Sequence, residues 1–486
     1  MRCPAFGKRI LPILLFFLLF IPGCKEQATQ PNGEIQRQLV ILYTNDEHGW
    51  MEATASTDGA AGLMGLWREE EGYTDDGPFL VLSGGDMWTG PAISTWFQGE
   101  SMVEVMNAME YDAAAIGNHE FDFQVAGLYD RLEQAEFPFL SANIREKATG
   151  NIPDFAQPYI IEEINGIQVG LIGLTTISAP TSTFPDYVKD YDFIAYDEAL
   201  SEVTPQIQSA GAELIMVVGH ITQYEMRALA STAASLGIAI VGGGHDHRRV
   251  AEMQDGVALI EGGGEMKSYA KVELAFDTEA DTMISLAVSN HDNVGGTPDA
   301  EVGGIVSYWA AQEDAALSEV IGYLSATIFS YSPAMHNMVT DAWLAAFPQA
   351  AISATNRGGF RADITAGDIT LGTIVGVLPF ENSVVELEIT GSELISYIQN
   401  ENPVVGGMTT MGGYFHTDGT PISNDSTYSV LVTDYMWSAS SSLPVYDPEP
   451  YPTNANWRDP VIDWIRAQNT TAADPLDNYL DTTVRQ

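Results

Sequence analysis

Cysteine is nearly absent from this sequence of 486 residues, which has only Cys3 and Cys24. A chain cut before Cys24 would keep a single thiol, which excludes an internal disulfide and leaves stability to core and metal. Basic residues are scarce as well: 20 Lys and Arg stand against 66 Asp and Glu, a formal net charge of -46. Such a surface repels polyanions, so partnership with a DNA or RNA polymer is not expected. Disorder does not follow, because 45% of the residues are hydrophobic and apolar runs recur along the chain. The acid excess reads as a solvated surface suited to a saline medium.

Long apolar runs are equally rare. The one from Ile10 to Ile21 follows Arg2, Lys8 and Arg9 and is too short to span a bilayer comfortably, so it reads as the centre of a signal peptide. Its end, Ile21-Pro22-Gly23-Cys24, resembles a bacterial lipobox. That resemblance implies a signal peptide over 1–23 and a lipidated Cys24, hence an exported protein anchored to a bacterial membrane and facing periplasm or cell surface. The plainer alternative is secretion with an incidental cysteine. Residues 24–38, rich in Gln, Asn, Pro and Gly, read as a tether.

What is present is a series of short apolar runs separated by helix-compatible stretches. The runs Leu39 to Thr44, Phe79 to Leu82, Ala113 to Ile116, Val169 to Leu174, Leu214 to Val218 and Ile238 to Val241 read as buried strands of an α/β layered domain. Val302, Ile305, Trp309, Ala310 and Leu317 recur at roughly helical spacing, which predicts a helix over 300–316 leaving that domain. Beyond it, Ile352 to Ala354, Ile374 to Phe380, Val384 to Ile389 and Tyr428 to Val432 are strand-like, and Glu393 to Asn400 reads as a helix. The Pro-rich stretch from Leu443 to Pro452 interrupts regular structure before a closing helix over Asp459 to Gln468. A second, α+β domain follows from this.

Polar residues collect where the strand-like runs end. Asp46-Glu47-His48 follows the first run, and Gly84-Gly85-Asp86 the second. Asn118, His119 and Asp122 follow the third, in Gly-Asn-His-Glu-Phe-Asp. His220 ends the run before Ile221, and His245 and His247 follow three glycines after Val241. Any one of these histidines alone would be a hydrogen-bonded structural residue. Five histidines, two metal-type aspartates and an asparagine amide at successive strand exits outweigh that reading. An N and O donor set without sulfur fits Zn, Mn, Fe, Co or Mg. An ion pair of this kind would still draw in a small phosphorylated substrate despite the acidic surface.

The ordered set D-x-H, GGD, GNHEFD, GH and GHDH resembles the calcineurin-like metallophosphoesterases, specifically the bacterial 5′-nucleotidase family, over nearly the whole mature chain. The resemblance implies a four-layer-type domain, two sheets with flanking helices, over 39–299. It implies a linker helix and hinge over 300–330, and a smaller α+β substrate-binding domain over 331–486. Two divalent metal ions are implied, one held by Asp46, His48, Asp86 and His247, the other by Asp86, Asn118, His220 and His245. His119, with Asp122 behind it, would be the catalytic dyad.

In the second half, Asn356-Arg357-Gly358-Gly359-Phe360-Arg361 combines an amide, two glycines and two arginines in a chain poor in arginine. Guanidinium forks suit phosphate oxygens. This segment matches the family's N-x-G-G-x-R motif, and Val377-Leu378-Pro379-Phe380 matches its V-L-P-F motif. The resemblance implies that Asn356, Gly359 and Arg361 contact substrate, that Phe380 stacks on a nucleobase and that Asn382 lies in the same pocket. Two departures stand against it. The arginine usual near the start of this domain is absent, His336 standing before Asn337, with Arg357 as a candidate replacement. The Gly-Gly-Asp-Gly segment and its aromatic are also missing, which leaves Tyr446 or Tyr451 as candidate second ring. The expected activity is metal-dependent hydrolysis of nucleoside 5′-monophosphates or related nucleotides. The alternatives are 2′,3′-cyclic nucleotides, nucleotide sugars or another phosphoester, a sulfur-containing ester analogue, and a surface binding lipoprotein without catalysis.

Overall fold

The computed structural model describes residues 36–277, 279–280 and 282–486. The expected signal peptide, Cys24 and most of the tether lie outside the described residues. Among the described residues no helix is long and apolar enough to cross a membrane.

The first domain's strands are β1 (Gln36–Thr44), β2 (Phe79–Ser83), β3 (Ala113–Ala115), β4 (Phe139–Leu140), β5 (Ile144–Glu146), β6 (Tyr159–Ile164), β7 (Ile167–Thr175), β8 (Tyr191–Phe193), β9 (Leu214–His220), β10 (Ile240–Gly242), β11 (Arg249–Gln254), β12 (Val257–Gly262), β13 (Ser268–Asp277) and β14 (Thr282–Asp292). Twelve of them make two six-stranded sheets, in the orders β14-β13-β1-β2-β3-β4 and β11-β12-β10-β9-β7-β6. Strand alternation decides the layers. Leu39, Ile41 and Tyr43 of β1 turn inward, with Leu80 and Leu82 of β2, to meet Val169, Leu171, Met216 and Val218 of the other sheet. Leu42 and Val81 turn outward, into a core shared with Leu63, Met102 and Leu128 from the helices Gly59–Leu66, Glu100–Ala108 and Gln124–Gln134. On the far side, Ile172, Leu174, Ile215 and Val217 pack under the helices Tyr196–Ser209 and Gln223–Ser235. Sheets covered on both faces need apolar residues at every position, which is why these strands read as unbroken apolar runs.

The expected helix is Ala300–Leu317. Its start is set by the Asp299 side chain, which accepts from the backbone N–H groups of Glu301 and Val302. The second domain centres on a five-stranded sheet in the order Val404–Gly406, Ile352–Thr355, Thr427–Thr433, Ser383–Thr390, Tyr451–Asn456. Trp343 and Trp457 fill its core, and the Trp343 indole donates to the Trp457 carbonyl at 3.0 Å.

Two expectations fail here. Residues expected as a strand from Ile374 to Phe380 belong to the helix Leu371–Val377 and the loop after it. Thr370 caps that helix by accepting from the Thr373 N–H, and Thr373 answers to the Thr370 N–H, so capping turns an all-buried apolar run into a helix. The segment from Leu443 to Pro452 is not wholly irregular: it holds a helical turn over Leu443–Tyr446 and the start of the strand Tyr451–Asn456.

Candidate functional site

Parallel strands place the polar residues. β1, β2 and β3 run parallel, as do β7, β9 and β10, so their exits gather at one edge of the two sheets. Three groups of side chains come together there with donor atoms within 4.8 Å of one another: Asp46, His48 and His247; His48, Asp86 and His119; and Asp86, His220 and His245. The His48 and His247 Nε2 atoms are 3.2 Å apart, as are His220 Nε2 and His245 Nδ1. Asp86 Oδ2 lies 3.0 Å from His220 Nε2 and 4.0 Å from His48 Nε2, between the two halves of the cluster.

The surroundings decide which atoms face inward. His48 Nδ1 donates to the Thr89 carbonyl at 3.1 Å and His220 Nδ1 to the Gly84 carbonyl at 2.8 Å. A carbonyl can only accept, so each ring in its neutral form presents an Nε2 lone pair to the cluster. His245 is turned the other way, its Nε2 facing Ser178 Oγ at 3.3 Å. Asn118 donates its amide to the Ser182 carbonyl at 3.0 Å, which aims its Oδ1 inward, buried and without a hydrogen-bond partner. Lone pairs and carboxylates pointing at one another, with an orphaned amide oxygen beside them, fit divalent cations.

Backbone geometry carries the same signature. Asp46, His48, Asp86, His245 and His247 all have positive φ, between 46° and 76°. Non-glycine residues rarely adopt this region, and such strain collects at functional sites. At Gly117 a Cβ would sit 2.2 Å from Asp86 Oδ1, so only glycine lets the third strand exit pass so close.

Sequence reasoning missed the buried acids behind these residues. Glu120 accepts from the backbone N–H groups of Asp86, Met87 and Gly117 at 2.9, 2.9 and 2.6 Å and so holds the two strand exits together. Burial, then the Asp86 charge, push its carboxyl up to about 7. Glu47 accepts from Ser83 at 3.0 Å and from Thr44, and burial raises it to about 8. Both letters lay inside the quoted motifs, and burial was the missing signal.

His119 and Asp122 meet at 2.7 Å through Nδ1 and Oδ2. Burial works against protonation of His119, but Asp122 and then Asp86 outweigh it and hold the imidazole above its ordinary value. For Asp86, burial opposes ionisation, yet His220 and His119 keep it well below the usual carboxylate range.

The second domain completes the site. A cavity of about 280 Å³ is lined by His48, Asp86, Asn118, His119 and Asp122 on one side and by Asn356, Gly358, Arg361, Phe380 and Asn382 on the other. Arg361 Nη2 stands 3.0 Å from His48 Nε2. Phe380 lies nearly parallel to the His119 ring, centroids 5.6 Å apart. Gly359 is not on the cavity wall; a Cβ there would meet the Trp457 ring at 2.9 Å, so its place is one of packing.

Two further expectations are corrected. Arg357 turns away from the cavity, donating to Gln486 Oε1 at 2.7 Å and to the Asn402 carbonyl, so it replaces no missing arginine at the site. Neither Tyr446 nor Tyr451 lines the cavity: Tyr446 packs beside the second-domain core, and Tyr451 begins an edge strand and is 67% exposed. Tyr435 lines it instead, held by a hydrogen bond from its hydroxyl to the Thr181 carbonyl at 2.9 Å.

Residues 39–249 match the calcineurin-like phosphoesterase family, and residues 325–415 match the 5′-nucleotidase C-terminal domain. The chain belongs to the 5′-nucleotidase family of metallophosphoesterases. Cell wall protein Lmo0130 of Listeria monocytogenes serovar 1/2a is similar, at 23% identity over 92% of this chain and 69% of its own length. A 5′-nucleotidase of Vibrio parahaemolyticus is 25% identical, over 92% of each chain. Among solved structures, the 5′-nucleotidase precursor from Thermus thermophilus shares the fold with a TM-score of 0.77, at 21% identity over 92% of this chain and 99% of its own. The chain is therefore a phosphoesterase, and its family implies divalent metals.

Proposed function

We propose that this phosphoesterase hydrolyses nucleoside 5′-monophosphates or related nucleotides to nucleoside and phosphate outside the cytoplasm, using two divalent cations. One would be held by Asp46, His48, Asp86 and His247, the other by Asp86, Asn118, His220 and His245, with Asp86 shared. When bound, such ions acidify water and withdraw charge from phosphoryl oxygens. The chain's own residues do the rest. Arg361 carries a fixed positive charge to the phosphoryl group, and Asn356 offers its amide beside it. His119, kept protonated by Asp122, is placed to pass a proton to the ester oxygen as the P–O bond breaks and the oxygen of water takes its place on phosphorus. Phe380 and Asn382 receive the nucleoside. Residues 300–330 would divide the catalytic part from the substrate-binding part, and Cys24 would carry the lipid that holds the protein at a membrane facing periplasm or cell surface.

The observation that carries this reading is Arg361 reaching across from the second domain to within 3.0 Å of His48. A guanidinium that reaches into a cluster of ligand-type side chains sets its positive charge where an anionic group entering the cavity would lie, and a phosphoryl group is such an anion. The intact His119–Asp122 pair speaks against a binding protein without catalysis. A panel of phosphate esters, assayed with Mn, Co, Zn and Mg in turn, tests the reading. Hydrolysis of AMP, read as released phosphate, well above hydrolysis of cyclic nucleotides and nucleotide sugars, read as the monophosphate products, is the expected result; a preference for an ester without a nucleobase would overturn it.

A further inference from the structure

The cavity is rich in rings. Besides Phe380, Tyr435 and Phe123, it is lined by Phe184 and Tyr187 of the first domain. These two belong to the segment 178–188, and their rings pack together with centroids 4.9 Å apart.

This segment is bound to the site along its length. Ser178 Oγ faces His245 Nε2, the Ser182 carbonyl accepts from Asn118, and Thr183 donates from its hydroxyl to Asp122 Oδ1 at 3.2 Å, the oxygen that His119 does not use. From the second domain, Tyr435 donates to the Thr181 carbonyl. Phe184 and Tyr187 therefore stand at a fixed distance from the dyad, while Phe380 reaches the same cavity from the other domain. A volume of about 280 Å³ lies just below the roughly 300–1,000 Å³ of ligand pockets, room for a small phosphorylated molecule rather than a polymer.

We propose that the segment 178–188 supplies, through Phe184 and Tyr187, the second aromatic wall of the leaving-group pocket, and so selects phosphomonoesters that carry a nucleobase over bare sugar phosphates. This rests on the phosphomonoesterase reading above and deepens it. Every base offers a π face to a ring, so such a wall favours bases as a class without choosing among them.

The test compares kcat/KM for AMP and for ribose 5-phosphate in the metal-loaded full chain and in F184L/Y187L, which keeps apolar bulk and removes the ring faces. Stacking on an aromatic is worth roughly 1–3 kcal/mol by truncation, so the ratio of AMP to ribose 5-phosphate should fall by about tenfold or more. Y187F should keep the wild-type ratio. Equal losses on both substrates would mark the segment as structural only and overturn the proposal, as would an unchanged ratio. A wild-type enzyme that cleaves ribose 5-phosphate as well as AMP would also overturn it while leaving the phosphomonoesterase reading standing. A wild type inert on both substrates would sink that reading itself.

Discussion

The two halves of the cavity are built in different ways. On the first-domain side, Asp46, His48, Asp86, His245 and His247 sit on left-handed backbone at strand exits, and a buried carboxylate, Glu120, ties two of those exits together through three N–H groups. On the second-domain side, Asn356 and Arg361 flank one loop while Phe380 and Asn382 follow the helix Leu371–Val377, with ordinary backbone and the Trp457 ring behind them. The first arrangement gathers donor atoms within 4.8 Å of one another on hydrogen-bonded strand exits. The second presents one charge, amides and a ring face to the cavity. Substitutions on the two sides should therefore fail differently, the first in metal content or chemistry, the second in affinity.

The sharpest separation is expected at His119. In His119→Ala the turnover should fall by about 10²–10⁴-fold with metal content unchanged, read by steady-state rates and elemental analysis of the same sample. Full activity in that variant would remove the dyad from the mechanism. Glu120→Gln comes next: it keeps the shape but weakens acceptance from the three N–H groups. A loss of about 10–100-fold in metal affinity, followed by chelator competition, is expected. Arg361→Ala should leave metal affinity alone and lower kcat/KM by about tenfold, the size of a lost hydrogen bond to a charged group. If Arg361→Ala were to shed metal as well, the two halves would not be separable as described.

His336 gives the smallest effect and lies wholly on the second-domain side. Burial, then the Arg357 charge, lower its imidazole to about 4. In the unfolded chain it takes a proton near 6.5, so between about 6.5 and 4 the unfolded state binds more protons and folding loses stability as pH falls. His336→Gln removes that term. Its melting temperature should fall less than that of the wild type between pH 7 and pH 5, measured by differential scanning fluorimetry.

The strands and most of the polar cluster were legible because both are local: apolar runs, then a few letters in fixed order at each exit. Glu47 and Glu120 were not, since a carboxylate that gathers buried O–H or N–H groups has the same letter as one in water. The helix Leu371–Val377 was misread because burial on all sides erases periodicity, leaving the Thr370 cap as the deciding signal. The cavity wall was the hardest part to read. Phe184, Phe380 and Tyr435 come to line one cavity only after two domains have folded against each other, and no spacing in the chain announces that.

The left-handed backbone at five ligand-type residues has a further consequence. Each such residue costs the fold about 1–2 kcal/mol that a glycine would not. His247→Gly, at a position whose side chain is 34% exposed, should therefore melt higher than the unaltered protein when both are kept in chelator, while losing activity. Conformational ease is given up at these five positions, and a search guided by thermal stability alone would replace them first.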